Sequence, residues 1–277
     1  MNNIIKKYFE ESKYSSMKLE KYFHVYELIL SKYKLKKDLT VVEIGVKDGG
    51  SLFIWKKLFP HAKIIGIDLN LECKKFEKDG FIIEIGDQSS REFWKDFFYK
   101  HQNVDIIIDD GGHTNTQQIS TAISCIPFIK DGGILITEDV MCSYFFNFGN
   151  PSKYSFINFC KKIIDDINFK FPGIGKFEFS LNNYVHSIEF FESIVVFKID
   201  RSQCAFNKII TNNKKNYNHE DLRYGYKKKM FKNPKIESIK NFLKKFKILN
   251  KINHYFFITK IRRFNITNSS RMKKYFK

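Results

Sequence analysis

The chain has 277 residues, 43% of them apolar, enough for one large α/β domain or for a domain with short appendages at each end. A formal charge of +18 points to an anionic partner such as nucleic acid, a lipid surface or a phosphorylated substrate, although Lys, Asn, Ile, Phe and Tyr recur throughout and part of the charge is compositional. Five cysteines (Cys73, Cys125, Cys142, Cys160 and Cys204) stand singly with no C-x-x-C pair, which argues against a disulfide framework or a zinc site and fits a reducing compartment. The first residues lack the apolar run of a signal peptide, and no stretch approaches the ~20 apolar residues of a membrane-spanning helix. The expected location is the cytoplasm.

From Lys18 to Tyr33, Leu19, Tyr22, Phe23, Tyr26, Ile29 and Leu30 recur at helical spacing and predict an amphipathic lead-in helix. Short apolar runs then alternate with amphipathic stretches. Strands are expected at Thr40 to Ile44, Lys63 to Ile67, Phe81 to Ile85, Val104 to Ile108 and Ile134 to Thr137. Helices are expected at Ser51 to Phe59, Ser89 to His101 and Asn115 to Ile129. Runs such as VDIII and GILIT are apolar on consecutive positions, as strands covered on both faces are. The alternation predicts a doubly wound, mostly parallel α/β sheet.

After Asp139 the rhythm changes. Met141 to Pro151 reads as an aromatic, Asn/Gly-rich loop over the sheet's carboxyl edge, with Tyr144 to Phe148 covering the acceptor of whatever reaction occurs there. Ser155 to Phe169 returns to helix, and Val185 to Ile199 reads as an antiparallel hairpin turning at Glu192. From Lys208 on, Asn, Lys and aromatics dominate, and Glu237 is the last acidic residue after Asp221. The expected organisation is a helical lead-in over 1–36, an α/β domain over 37–205 and a basic, aromatic-rich extension over 206–277. Phe242, Phe246, Leu249 and Ile252 form the stripe of a basic amphipathic helix near Asn241 to Phe257. Such a helix suits peripheral contact with an anionic membrane, or packing on its own domain or a second subunit.

Three successive strand ends carry polar groups in a telling order. The first ends in VVEIGVKDGGS, where Gly45 and Gly49 let the backbone approach a ligand, Ser51 opens the next helix, and Glu43 either holds the loop or serves a cationic ligand head through it. This is not the G-x-G-x-x-G of a dinucleotide fold. Asp68 ends the second strand, placed to accept from a ribose diol. Asp87 and Gln88 end the third, where they meet a base. A cationic head, a ribose and a base laid in that order describe S-adenosylmethionine, whereas Glu43 would repel a pyrophosphate.

The next two strands end in IIIDDGGH and ILITEDV. Carboxylates converging from neighbouring strand ends raise one another's pKa, and a hard divalent cation such as Mg2+ or Mn2+ relieves that cost. Asp110, Glu138 and Asp139 are the expected ligands, with Asp109 capping a helix or serving the cofactor. His113, in the adjacent Gly-Gly turn, is placed to take a proton from an acceptor hydroxyl, with Asp110 beside it.

Together, VVEIGVKDGGSLFIWKKLFPHAKIIGIDLN, GDQSS, IDDGGHTNTQQISTAISCIPFIKDGGILITEDV and VHSIEFFESIVVFKID resemble the macrolide-sugar, rhamnosyl and surface-glycan O-methyltransferases, over roughly Val41 to Asp200. The resemblance implies a class I, Rossmann-like seven-stranded methyltransferase sheet with an antiparallel C-terminal hairpin. It implies metal ligands Asp110, Glu138 and Asp139, a general base His113, and a cofactor pocket including Gly45, Asp68 and Asp87. It further implies a sugar or nucleotide-sugar acceptor, in capsule or lipopolysaccharide biosynthesis, and a homo-oligomer. The second Gly of DGGH stands where many relatives carry Ser. Competing readings keep the fold but change the acceptor to an amine, a phosphorylated metabolite or RNA. The RNA reading draws on the basic aromatic tail, but the core carries no element for a flipped base.

Overall fold

The computed structural model describes residues 3–148, 153–168 and 180–205, with individual residues thereafter. The chain divides into two units, Met1–Lys208 and Ile209–Lys277. Of the expected tail helix, only Tyr255 is among the described residues. Among the described residues no helix is long and apolar enough to cross a membrane. All five cysteines are buried, and none forms a disulfide with another.

The first unit is built on seven strands: β1 (Thr40–Ile44), β2 (Lys63–Asp68), β3 (Ile82–Ile85), β4 (Val104–Asp109), β5 (Ile129–Thr137), β6 (Val185–Phe191) and β7 (Ile194–Ile199). They lie in the order β3-β2-β1-β4-β5-β7-β6. The first five pair in parallel; β7 runs antiparallel to β5 and to β6. The order reverses between β1 and β4, so their carboxyl ends open a crevice of the kind that binds ligands in doubly wound sheets.

The consecutive apolar positions have a simple cause. Val41, Ile106, Ile108, Ile134 and Ile136 pack into one core, and Val42, Ile44, Ile107 and Leu135 into a second on the other face. Helices α1 (Ile4–Glu10), α2 (Tyr22–Leu30) and α3 (Gly50–Leu58) cover the first face; α4 (Arg91–Lys100), α5 (Asn115–Cys125) and α6 (Phe156–Asn168) cover the second.

Element ends differ from the sequence expectations where local chemistry intervenes. The helix expected over Asn115 to Ile129 stops at Cys125, because Pro127 cannot donate to a continuing helix; Ile126–Phe128 makes a 3-10 turn and Ile129 already starts β5. The lead-in helix occupies only Tyr22–Leu30, and the residues between α1 and it form no helix or strand. A short helix not foreseen in the sequence, α1, is capped by Asn3, whose Oδ1 accepts from the Ile5 and Lys6 amides.

Candidate active site

A cavity of about 550 Å³ lies over the carboxyl ends of β1, β2, β3 and β4, within the usual range for a small-molecule site. Of the residues expected to bind a cofactor, Gly45, Ser51, Asp68 and Gln88 line it; Glu43, Gly49, Asp87 and Asp109 do not. Gly45 adopts φ 90°, and a Cβ there would fall 2.1 Å from the Asp110 carbonyl oxygen. Only glycine allows the β1 and β4 loops to meet this closely. Asp68 ties two loops together, its carboxylate accepting from the Lys47 amide at 2.9 Å and the Asn70 amide at 2.8 Å.

Glu43 acts from behind the loop. It is fully buried, with its oxygens accepting from Ser51 Oγ at 2.8 Å and Trp55 Nε1 at 2.9 Å. Burial pushes its carboxyl up to about 7, against the opposing pull of Lys18 and these donors. Asp109 shapes the adjoining loop. Its Oδ1 accepts from Gln88 Nε2 at 2.8 Å and from the Gly111 amide at 3.3 Å, while its Oδ2 is buried without a partner. Burial lifts this carboxyl to about 6. Asp87 turns back onto Ser89, accepting from its amide and hydroxyl.

Beside the cavity, Asp110, His113 and Asp139 each offer a ligand atom within 4.8 Å of the others, and all three line the cavity wall. His113 Nε2 stands 3.8 Å from Asp110 Oδ1 and 3.5 Å from Asp139 Oδ2. His113 Nδ1 is buried with no hydrogen-bond partner. Both His113 (φ 57°) and Asp139 (φ 53°) occupy the left-handed region, which L-residues adopt at a cost and keep where the surroundings fix them. The two carboxylates, Asp110 and Asp139, supply hard oxygen donors that fit a divalent cation such as Mg2+, with the His113 imidazole beside them.

Glu138, the third expected ligand, lies one layer behind. It is fully buried; Tyr26 donates to its Oε1 at 2.5 Å, and Lys18 Nζ donates to its Oε2 at 2.8 Å. Lys18 also donates to Asp110 Oδ2 at 2.6 Å. Burial pushes the Glu138 carboxyl above its ordinary range, with Lys18 and Tyr26 acting against it. Burial disfavours the charged form of Lys18, yet Glu138 and Asp110 outweigh this and hold the ammonium above its ordinary value.

Lys18, Tyr22 and Tyr26 were not foreseen as site residues. One signal was available: Tyr22 and Tyr26 stand four apart on the buried face of α2, and a buried phenol needs a partner for its hydroxyl. For Lys18, ahead of the helix, there was no such signal. Past the carboxyl end of β5, a second cavity of about 410 Å³ is lined by Val140, Met141, Tyr144, Lys161, Phe190 and Phe191 among others. Val140 directly follows Asp139, so the aromatic cavity adjoins the acid cluster.

No family model matches the chain. Over 121 residues, 40% of the chain, it is 33% identical to the mycinamicin VI 2''-O-methyltransferase of Micromonospora griseorubida. Over 140 residues, 47% of the chain, it is 28% identical to the 8-demethyl-8-alpha-L-rhamnosyl tetracenomycin-C 2'-O-methyltransferase of Streptomyces olivaceus. It spans only 30% and 37% of the lengths of these two relatives. Among solved structures, the MycE methyltransferase of the mycinamycin biosynthetic pathway, in complex with Mg and SAH, superposes with a TM-score of 0.64 at 22% identity, over 72% of this chain and 54% of that one. The chain is thus related in sequence to sugar O-methyltransferases of macrolide and tetracenomycin pathways, and it has the class I S-adenosylmethionine-dependent methyltransferase fold.

Proposed function

We propose that this protein is an S-adenosylmethionine-dependent O-methyltransferase acting on a sugar hydroxyl with the help of a divalent cation. The observation that carries the reading is the meeting of Asp110, His113 and Asp139 on the wall of the cavity at the sheet's switch point. That cavity would hold the cofactor, with Asp68 and Gln88 as its polar partners and Gly45 allowing the backbone to approach. Glu43 and Asp109 hold the two loops from behind.

Asp110 and Asp139 hold the cation, which when bound orients the acceptor and lowers the pKa of its hydroxyl. His113 would accept the acceptor's proton, and a cofactor held in the cavity would supply the methyl group and leave as its thioether. A sugar ring has apolar C–H faces, and the aromatic cavity of Tyr144, Phe190 and Phe191 beside the cluster offers rings to cover them.

The relatives' names point to sugars of macrolides and tetracenomycin, whereas the family resemblance also takes in capsule and lipopolysaccharide sugars. Both belong in the test. Methyl-labelled S-adenosylmethionine, incubated with nucleotide sugars and glycosides of both kinds, is expected to yield an O-methyl sugar located by mass spectrometry. Label on an amine or on RNA instead would refute the sugar reading.

A further inference from the structure

The placement of His113 is not set by its own side chain. Its Nδ1 is buried with no hydrogen-bond partner, and its Nε2 stands no closer than 3.5 Å to Asp139 and 3.8 Å to Asp110. Its backbone sits at φ 57°, a conformation that persists where the surroundings impose it. The imidazole is therefore where the turn over residues 109–114 puts it, and whatever holds that turn decides where the base points.

Two glutamines hold it, one on each side. Gln88 reaches in from the loop after β3. The Gly112 amide donates to its Oε1 at 3.0 Å, and its Nε2 donates to Asp109 Oδ1 at 2.8 Å and to Thr121 Oγ1 at 3.1 Å. Its backbone is tied to α4, since Trp94 Nε1 donates to the Gln88 carbonyl at 2.8 Å. Gln117, in the first turn of α5, takes the other side: its Oε1 accepts from the Thr114 hydroxyl at 2.7 Å and from the Thr114 amide at 3.2 Å. The turn's glycines fit these two side chains. A Cβ on Gly111 would fall 1.9 Å from Gln88 Oε1, and one on Gly112 would fall 2.4 Å from the Gln117 amide group. Residues 111, 112 and 114 are thus gripped, and His113 lies between them. Both side-chain N–H groups of the buried Gln88 are engaged by the protein, which leaves one lone pair of its Oε1 for a ligand.

We propose that Gln88 and Gln117 clamp the catalytic turn: they are positioning residues that act on the reaction through His113, by fixing the left-handed backbone that presents its imidazole at the cavity wall. A reacting group displaced by about 1 Å can lose on the order of a hundredfold in rate, so such a clamp is felt in turnover. The inference rests on the reading of His113 as the base.

Gln88→Met and Gln117→Met, each close to glutamine in shape, test it on the full chain in two ways. The first needs no substrate. Wild type and variants are treated with diethyl pyrocarbonate, and modification of each histidine is followed by mass spectrometry. His113 is expected to react roughly threefold faster or more in each variant, as a side chain on a locally opened turn does, with the other histidines unchanged. An unchanged rate at His113 in both variants would overturn the proposal. So would a rise at every histidine alike, which marks general destabilisation. If Gln88→Met does not fold, Gln117→Met, at a half-buried position, carries both measurements.

The second is a double-mutant cycle with His113→Ala. It is read as S-adenosylhomocysteine release at saturating S-adenosylmethionine, with nucleotide sugars as acceptors, so that turnover is separated from any loss of cofactor affinity at Gln88. With His113 present, each glutamine variant is expected to lose roughly tenfold or more in kcat. In the His113→Ala background the further loss is expected to be no more than about threefold, because residues that act through one another do not add. A full, additive loss in that background would overturn the proposal and leave the base in place. Wild-type turnover in His113→Ala alone would overturn the proposal and the reading of the base together.

Discussion

The phenolic oxygen of Tyr22 donates to Asp139 Oδ1 at 2.5 Å and accepts from the backbone amide of Asp139 at 3.2 Å. One hydroxyl thus fixes both the side chain and the left-handed backbone of an acid at the heart of the site. Tyr22 is buried on α2, and burial first, then Asp139, pushes its phenol well above the ordinary range. It acts as a donor and not as an acid.

Tyr22→Phe removes that donor and leaves its shape. The variant is expected to lose roughly 1–3 kcal/mol of stability, the cost of an acceptor and an amide left unpaired. Its Mg2+ affinity is expected to fall by about tenfold or more, since partners that orient ligating groups have effects of that size. Urea unfolding and calorimetry read the two effects separately. Unchanged Mg2+ affinity would mean that Asp139 keeps its geometry without Tyr22.

His113→Ala is expected to lower kcat by roughly a hundredfold or more, as losing a general base does. Cofactor affinity is expected to stay as in wild type. Single-turnover rates beside a binding titration separate the two. A turnover number that survives the substitution would remove His113 as the base.

Gly45→Ala places a methyl 2.1 Å from the Asp110 carbonyl oxygen, on a backbone already at φ 90°. Neither neighbour is a flexible side-chain tip, so the β1 and β4 loops must part. Cofactor binding is expected to be lost and the Tm to drop, by calorimetry and thermal melting. Wild-type affinity in this variant would mean that the loops separate at no cost to the pocket.

Glu43 gives a pH signature. Its folded-state pKa, raised by burial to about 7, exceeds the ordinary 4.5. A carboxyl raised in this way contributes stability that is fully present below about pH 4.5 and is lost as pH rises through about 7. Glu43→Gln, neutral at every pH, is therefore expected to gain on wild type across that window. The gain is about 3 kcal/mol at most for a shift of this size. Parallel denaturation series in metal-free buffer from pH 4.5 to 8 check it. A stability difference constant with pH would contradict the burial of a charge at this position.

The sheet was legible because its signals are local. Short runs apolar on consecutive positions, such as VDIII and GILIT, bounded by polar and Gly residues, read as strands covered on both faces, and the polar residues at their ends point to one edge. Asp68, Gln88, Asp110, His113 and Asp139 could be placed there from spacing alone, since each ends its strand or lies within four residues of its end. What lay hidden comes from across the fold. Lys18 meets Glu138 from 120 positions away, and Tyr22 meets Asp139 from 117. A one-dimensional pattern shows α2 as an apolar stripe and gives no hint of which acids its phenols reach. The partners of Glu138 were hidden in the same way, since Lys18 and Tyr26 both come from ahead of β1.

The most direct test of the account is release of S-adenosylhomocysteine with a panel of nucleotide sugars, sugar phosphates and glycosides, run with Mg2+ and with EDTA. Turnover on a sugar that EDTA abolishes and added Mg2+ restores is the predicted result. Turnover that continues undiminished in EDTA would contradict it.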